Sequence, residues 1–166
     1  MMETKKSLCS DIQKLIEVST DEEIRVLKQV VTGLLEKRSG EYRTYIMSFL
    51  QSKTKYEGGD LVMTIPVHPI LNNSVDIVHG GLTATLADTA MGTLVSENLR
   101  ENQVPVTSEM KINYTAPGIG DHITCRASIL HLGTKTAVTE AKIYNDIGTL
   151  VAVATGSFFI IERPQK

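Results

Sequence analysis

Residues 79–99 read HGGLTATLADTAMGTLVSENL, and this stretch decides the fold. Two glycines open it, Ser96-Glu97-Asn98 closes it, and the residues between predict a helix from Gly81 to about Asn98. Leu82, Leu86, Ala87, Ala90, Met91, Leu94 and Val95 leave no continuous polar face, so this helix is expected to be buried nearly all round. From Gly80 to Ser96 the only formally charged residue is Asp88. It stands mid-helix, too far from the start to serve as a cap or to gain much from the dipole. Burying an ionised carboxylate is costly unless partners compensate, so the residue calls for a reason. Ala84, Thr85, Met91 and Gly92, at i±3 and i±4, leave room above it for a ligand or another backbone. The ordinary alternative is a satisfied core carboxylate or a wet helix edge.

A helix this apolar needs a wrapper, and the downstream sequence supplies one. Four strand segments follow at 105–115, 121–132, 135–145 and 149–161. Pro117-Gly118 with Gly120-Asp121, then Gly133-Thr134, then Asn145-Asp146 with Gly148 separate them, which predicts consecutive antiparallel hairpins. Upstream, 60–67 reads as a strand with Pro66 and Pro69 at its exit. Before residue 55 the pattern is helical. Thr20 with Glu23 has capping-box spacing, and Ser39-Gly40 follows Lys37 and Arg38, which bounds a helix over 20–39. Its stripe is Ile24, Leu27, Val31, Leu34 and Leu35; a shorter helix before it carries Leu8, Ile12, Leu15 and Ile16. A third, around Tyr42 to Leu50, offers Tyr45, Ile46 and Phe49. These stripes need cover from the following domain or from a second subunit. The expectation is an α+β chain: a curved antiparallel β-sheet wrapped around a long central helix. An amino-terminal helical extension over 1–43 precedes the main domain over 44–166.

Composition narrows the function classes. The chain has 166 residues, 42% hydrophobic and 22% charged, which suits one soluble core and excludes disordered and collagen-like classes. No apolar run approaches the roughly 20 residues of a membrane span. MMETKKSLCSDIQK has no apolar segment behind its lysines and does not read as a secretion signal. Cys9 and Cys125 lack metal spacing and read as reduced cysteines of a cytoplasmic protein. A net charge of -2 gives no general attraction to nucleic acid. Residues 1–43 hold eight basic and eight acidic residues, unlike a DNA-binding arm. His68, His122 and His131 share no metal spacing and read as surface or turn histidines, so no metal site is expected. Glu109 and Lys111 read as a solvated sheet face, Tyr114 as packing, and RENQ at 100–103 as an exposed loop, with a substrate tunnel nearby as a minor reading.

The chemistry gathers at the helix start. Glycines opening a helix permit close approach, and the free backbone N–H groups there point outward at the positive end of the dipole. That suits an oxyanion, and a carboxylate about two turns along, able to attack carbon or to activate water, completes a minimal acyl-transfer set. A tight loop-to-helix junction without a ligand is the alternative for Gly80-Gly81.

The run from Asn73 through His79-Gly80-Gly81 to Asp88 resembles the signature of hotdog-fold acyl-CoA thioesterases of the phenylacetate-pathway (PaaI-like) and THEM-type group. The similarity extends through Thr107 to Pro117, the Gly120-Asp121 turn, Gly133 and Gly148, and covers about residues 45 to 161. The resemblance implies Asp88 as nucleophile or general base and the Gly81 N–H as donor to the thioester oxygen. Asn73 would place the carbonyl or the water, His79 would orient the loop or polarise, and Thr107 would position the carboxylate or water. Gly80, Gly133, Thr134 and Lys135 would contact the substrate. It also implies a homodimer that completes the site, a dimer of dimers, and no cofactor, because coenzyme A arrives as part of the substrate. Three departures stand out. Asp76 replaces a usual glycine, Thr134 stands where a basic residue usually follows Gly133, and strand alternation puts Ser108 rather than Thr107 beside Met110 and Ile112. A bulge at the strand start would bring Thr107 to the helix side. The competing functions are a non-catalytic acyl-CoA sensor with a hotdog ligand domain, and an assembly module whose glycines serve packing alone.

Overall fold

The computed structural model describes residues 2–164. It divides into two compact units, Met1–Phe49 and Leu50–Lys166.

The first unit holds α1 (Met2–Val18), α2 (Asp21–Ser39) and most of α3 (Tyr45–Leu50). Local chemistry bounds α2 at both ends. The Thr20 hydroxyl accepts from Glu23 N–H while the Glu23 carboxylate accepts from Thr20 N–H at 2.7 Å, and Gly40 closes the helix in the left-handed region at φ 93°. Gly33 is the buried residue of α2, because a Cβ there would meet the Ser48 carbonyl oxygen of α3. The stripe predicted for α2 is only partly covered in this chain: Val31, Leu34 and Leu35 are exposed, as are Leu8, Leu15 and Ile16 of α1.

The second unit is an antiparallel sheet of six strands around a central helix, α4 (Gly80–Glu97). The strands are β1 (Lys53–Glu57), β2 (Asp60–Pro66), β3 (Gln103–Tyr114), β4 (His122–Leu132), β5 (Thr136–Asn145) and β6 (Leu150–Glu162). Their order across the sheet is β1-β2-β4-β5-β6-β3. Ala127, Ala141 and Ala154 align in register across β4, β5 and β6 and are all buried, a row of small side chains. Leu86, Met91, Leu94 and Val95 of α4 share the core with Met63, Ile123, Ile143 and Phe158, all no more than 1% exposed. This is the hotdog arrangement that the resemblance implies.

Two local expectations are corrected. The helical pattern expected before residue 55 stops short of Lys53, where β1 begins, hairpinned to β2 through Gly58 and Gly59 at φ 63° and 93°. Positive φ at both central positions is what a tight two-residue hairpin needs, and glycine supplies it. The second correction is topological. β4-β5 and β5-β6 are the hairpins expected, but β3 pairs with β6 at the far edge instead of with β4. The Pro117-Gly118 segment is therefore a crossing rather than a tight turn. Gly118 O accepts from Val78 N and Asp121 O accepts from Val67 N, which ties the connection to the segments flanking the β2–α4 loop.

Candidate active site

The entry to α4 is built from its own loop. Asn73 Oδ1 accepts from Val75 N at 3.0 Å and Ile77 N at 3.3 Å, while Asn73 N donates to Ile77 O at 2.8 Å. This closes a turn in which Asp76 takes φ 55°. The glycine usual at that place has a backbone reason: the position lies in the left-handed region, which aspartate tolerates better than most side chains. Asp76 is exposed. With its carbonyl oxygen engaged, Asn73 has its amide N–H groups left to offer.

His79 caps the helix. Its Nδ1 accepts from Gly81 N at 2.9 Å. The N–H expected to face an oxyanion is thus held by the preceding side chain, whereas the Gly80 N–H has no acceptor among the described residues. Tyr114, expected to be packing, does more. Its hydroxyl donates to Gly80 O at 2.7 Å and its ring packs within contact distance of Gly80, fixing the end of β3 to the start of α4.

Two turns along, Thr107 Oγ1 donates to Asp88 Oδ1 at 2.8 Å. The register of β3 explains how Thr107 gets there. Thr107 pairs with Phe158, Glu109 with Ser157 and Met110 with Gly156, so Ser108 is an extra residue in a bulge. Phe158 packs beside Gly92, and Met91 beside Gly156. Through the bulge Thr107 and Met110 both face α4, although strict alternation separates them. The Ser108 hydroxyl turns to its own sheet and donates to Ser157 O at 2.9 Å. Asp88 is half-buried and Thr107 exposed, so the pair lies on an open face rather than in a sealed core. The second carboxylate oxygen of Asp88 has no hydrogen-bond donor among the described residues.

His79, Gly80, Gly81, Asp88 and Thr107 thus lie along α4 and the facing strand β3, while the contacts of Asn73 stay within the loop ahead of the helix. Gly133 and Thr134 do not join them. They line a separate cleft of about 230 Å³ with Asn98, Leu99, Arg100, Gln103 and Leu132. Asn98 is ten residues beyond Asp88, about 15 Å along the helix axis. Lys135 is exposed at the adjoining turn and is not among the cleft residues. Arg100 is, and its cationic character there went unread in the sequence because it belongs to a loop without pattern.

The remaining histidines stay outside this edge. His68 sits in a turn but is 8% exposed, and neither ring nitrogen has a partner among the described residues; burial pushes its pKa below the usual histidine value. Among the described residues no three His, Cys, Asp or Glu side chains are grouped to hold a metal ion, and no helix is long and apolar enough to cross a membrane.

Comparison with known proteins places this geometry. Residues 76–152 match the Thioesterase superfamily, a span that includes His79, Asp88, Thr107 and Gly133. A Halobacterium salinarum protein described as a candidate esterase is 33% identical over 68% of this chain and 82% of its own. The medium/long-chain acyl-CoA thioesterase YigI of Escherichia coli is 26% identical, covering 73% of this chain and 90% of that one. A Bacillus halodurans protein whose crystal structure was solved with CoA is 40% identical with a TM-score of 0.86, covering 92% of this chain and 99% of that one. The chain belongs to the thioesterase superfamily, and it is a hotdog-fold enzyme that hydrolyses thioesters.

Proposed function

We propose that the protein hydrolyses acyl-CoA to the free acid and CoA, with Asp88 as the reacting carboxylate. The observation that carries this reading is the Thr107–Asp88 hydrogen bond, which engages one carboxylate oxygen and leaves the other for chemistry. In one route Oδ2 attacks the thioester carbon, the C–S bond breaks to release the CoA thiolate, and water then cleaves the Asp88 anhydride. In the other, Oδ2 takes a proton from water, hydroxide adds to the carbon, and the departing thiolate receives the proton. In both, negative charge grows on the carbonyl oxygen at the start of α4. The Gly80 N–H lies there, and the Gly81 N–H joins it once the His79 imidazole swings aside. The free amide N–H groups of Asn73 place the carbonyl or the water.

The reading includes a homodimer that completes the site. β3 is a 12-residue edge strand beside Asp88, and such an edge is a template for pairing with a second copy. Two dimers pair in turn as a homotetramer. No cofactor takes part, because CoA enters with the substrate. The relatives named for medium and long acyl chains make those chains the first candidates. Free Cys9 and Cys125 fit the reducing cytoplasm.

The test is a panel of acyl-CoAs assayed with a thiol reagent, using wild type, Thr107→Ser and Thr107→Val. Wild type and Thr107→Ser turn over at least one acyl-CoA. Thr107→Val, which keeps shape but removes the O–H, loses about tenfold in kcat, the worth of a hydrogen bond to a charged group. A wild type inert to every acyl-CoA, or an unimpaired Thr107→Val, contradicts the reading. The reagent background is low: burial pushes the Cys125 thiol up to about 12, leaving Cys9 as the exposed cysteine.

A further inference from the structure

α2 carries a second apolar side besides the one that Gly33 turns to α3. Ile24, Leu27, Val31 and Leu34 recur at intervals of three, four and three residues, the spacing of a seam between paired helices. The two halves of this seam differ. The carboxyl half is a groove of about 450 Å³ lined by Val31, Leu34, Leu35, Lys37, Arg38 and Tyr45. Lys37 Nζ lies 5.3 Å from the centre of the Tyr45 ring, which ties the wall that α3 supplies to the basic end of α2. The groove stands open in the single chain, with Val31 42%, Leu34 49% and Leu35 62% exposed. The amino half presents Ile24 and Leu27 behind three acidic residues, Asp21, Glu22 and Glu23.

Charge decides what fits the groove. Only Ser19-Thr20 separates α1 from α2, so α1 can lie along α2 of its own chain only antiparallel. That arrangement sets Glu17 level with Glu22, Lys14 with Arg25 and Glu3 with Glu36, like charge against like, and Asp11 with Lys28 alone relieves it. Leu8, Leu15 and Ile16 of α1 are accordingly exposed. A second copy of α2 laid antiparallel has the opposite balance. The acidic start of each helix meets the basic end of the other, Lys37 and Arg38, and a two-fold axis repeats the match. Across the seam Leu34 then faces Ile24 of the second copy and Val31 faces Leu27, so each groove receives the apolar amino half of the other helix. Lys28 meets its counterpart near the axis, where it is exposed and its long stem lets the ammonium turn to water.

We propose that α2 is a self-pairing surface, through which two copies of this chain join by antiparallel α2 helices. The surface is separate from the β3 edge and does not depend on the hydrolase reading. It is small, so pairing sets in at roughly 10 μM and α2 stands open in dilute solution.

Sedimentation of the full chain, over a concentration series that spans this value, is the test. The wild-type mass doubles across the series. Leu34→Glu, at an exposed position that leaves the helix content unchanged by circular dichroism, raises the dissociation constant about 30-fold or more. Lys37→Glu with Arg38→Glu leaves both ends of α2 acidic, and Asp21→Lys with Glu22→Lys leaves both ends basic. Each of these variants fails to pair alone, and an equimolar mixture of the two pairs again. In a Cys9→Ser background, where Cys125 is buried, Ile24→Cys mixed with Leu34→Cys gives a disulfide between copies, and Ile24→Cys alone does not. A wild type that never exceeds the mass of Leu34→Glu overturns the proposal, as does a charge mixture that stays unpaired or an Ile24→Cys chain that cross-links to itself.

Discussion

α2 and α4 are nearly equal in length, 19 and 18 residues, yet they are held in opposite ways. α2 carries its stability at its ends: a complete capping box, three acidic residues in the first turn, Lys37 and Arg38 in the last, and a left-handed glycine stop. Much of its apolar stripe remains exposed in the single chain. α4 has no acidic residue in its first turn and no basic residue in its last, and its middle is buried on most sides. A helix fixed by packing can carry a lone carboxylate in a defined place. A helix fixed by its caps stays free to offer its apolar face elsewhere. The carboxylate proposed to react lies on the first kind, where the Thr107 hydroxyl holds it in place.

The contrast can be broken by mutation. Leu94→Ala, at a position 1% exposed in α4, is expected to cost about 2–5 kcal/mol, whereas Leu34→Ala, 49% exposed in α2, changes stability by less than about 0.5 kcal/mol. Denaturant unfolding of the two variants reads this directly, and equal losses would mean that α2 is also held by burial. Thr20→Ala removes the capping box and is expected to lower α2 stability by about 1 kcal/mol, seen as faster amide exchange confined to residues 21–39.

The same contrast has a pH form. His68, beside the loop that leads into α4, has a pKa depressed by burial, so unfolding takes up a proton once pH falls below the ordinary value of 6.5. The second unit therefore weakens as pH drops from 7 toward 5, and His68→Leu flattens that slope. Glu23 of the α2 cap is held below 4.5 by its hydrogen bonds to Thr20 backbone and side chain. Its contribution is present above pH 4.5 and goes only as pH falls through the lowered value, so the cap of α2 outlasts the first losses in the second unit.

How much was legible in the sequence follows the same line. α2 could be read residue by residue because its determinants are local, and Thr20, Glu23 and Gly40 each do what their spacing says. α4 was legible as a helix from composition, and Asp88 stood out because nothing else in the stretch is charged. β4, β5 and β6 were legible because glycine turns join strands that pair with their neighbours in sequence. The place of β3 was not, since pairing with β6 is a long-range choice that turn residues do not encode. β1 was missed because all five of its residues are exposed and show no alternation; only Gly58-Gly59 marked it. At the candidate site, the residue types were readable but their engagements were not. Thr107 needed a bulge, the Gly81 N–H was taken by His79, and Arg100 met the Gly133-Thr134 turn through tertiary structure alone.

The central claim is that Asp88 is the reacting group of thioester hydrolysis. Asp88→Asn preserves size and can still accept from Thr107, while removing the charge, the nucleophile and the base. Steady-state hydrolysis of the best acyl-CoA by this variant, with folding checked by thermal melting, is the direct measurement. The account predicts an unchanged melt, a KM close to wild type and a kcat lower by about 10²-fold or more. A folded Asp88→Asn enzyme that retains wild-type kcat would contradict it.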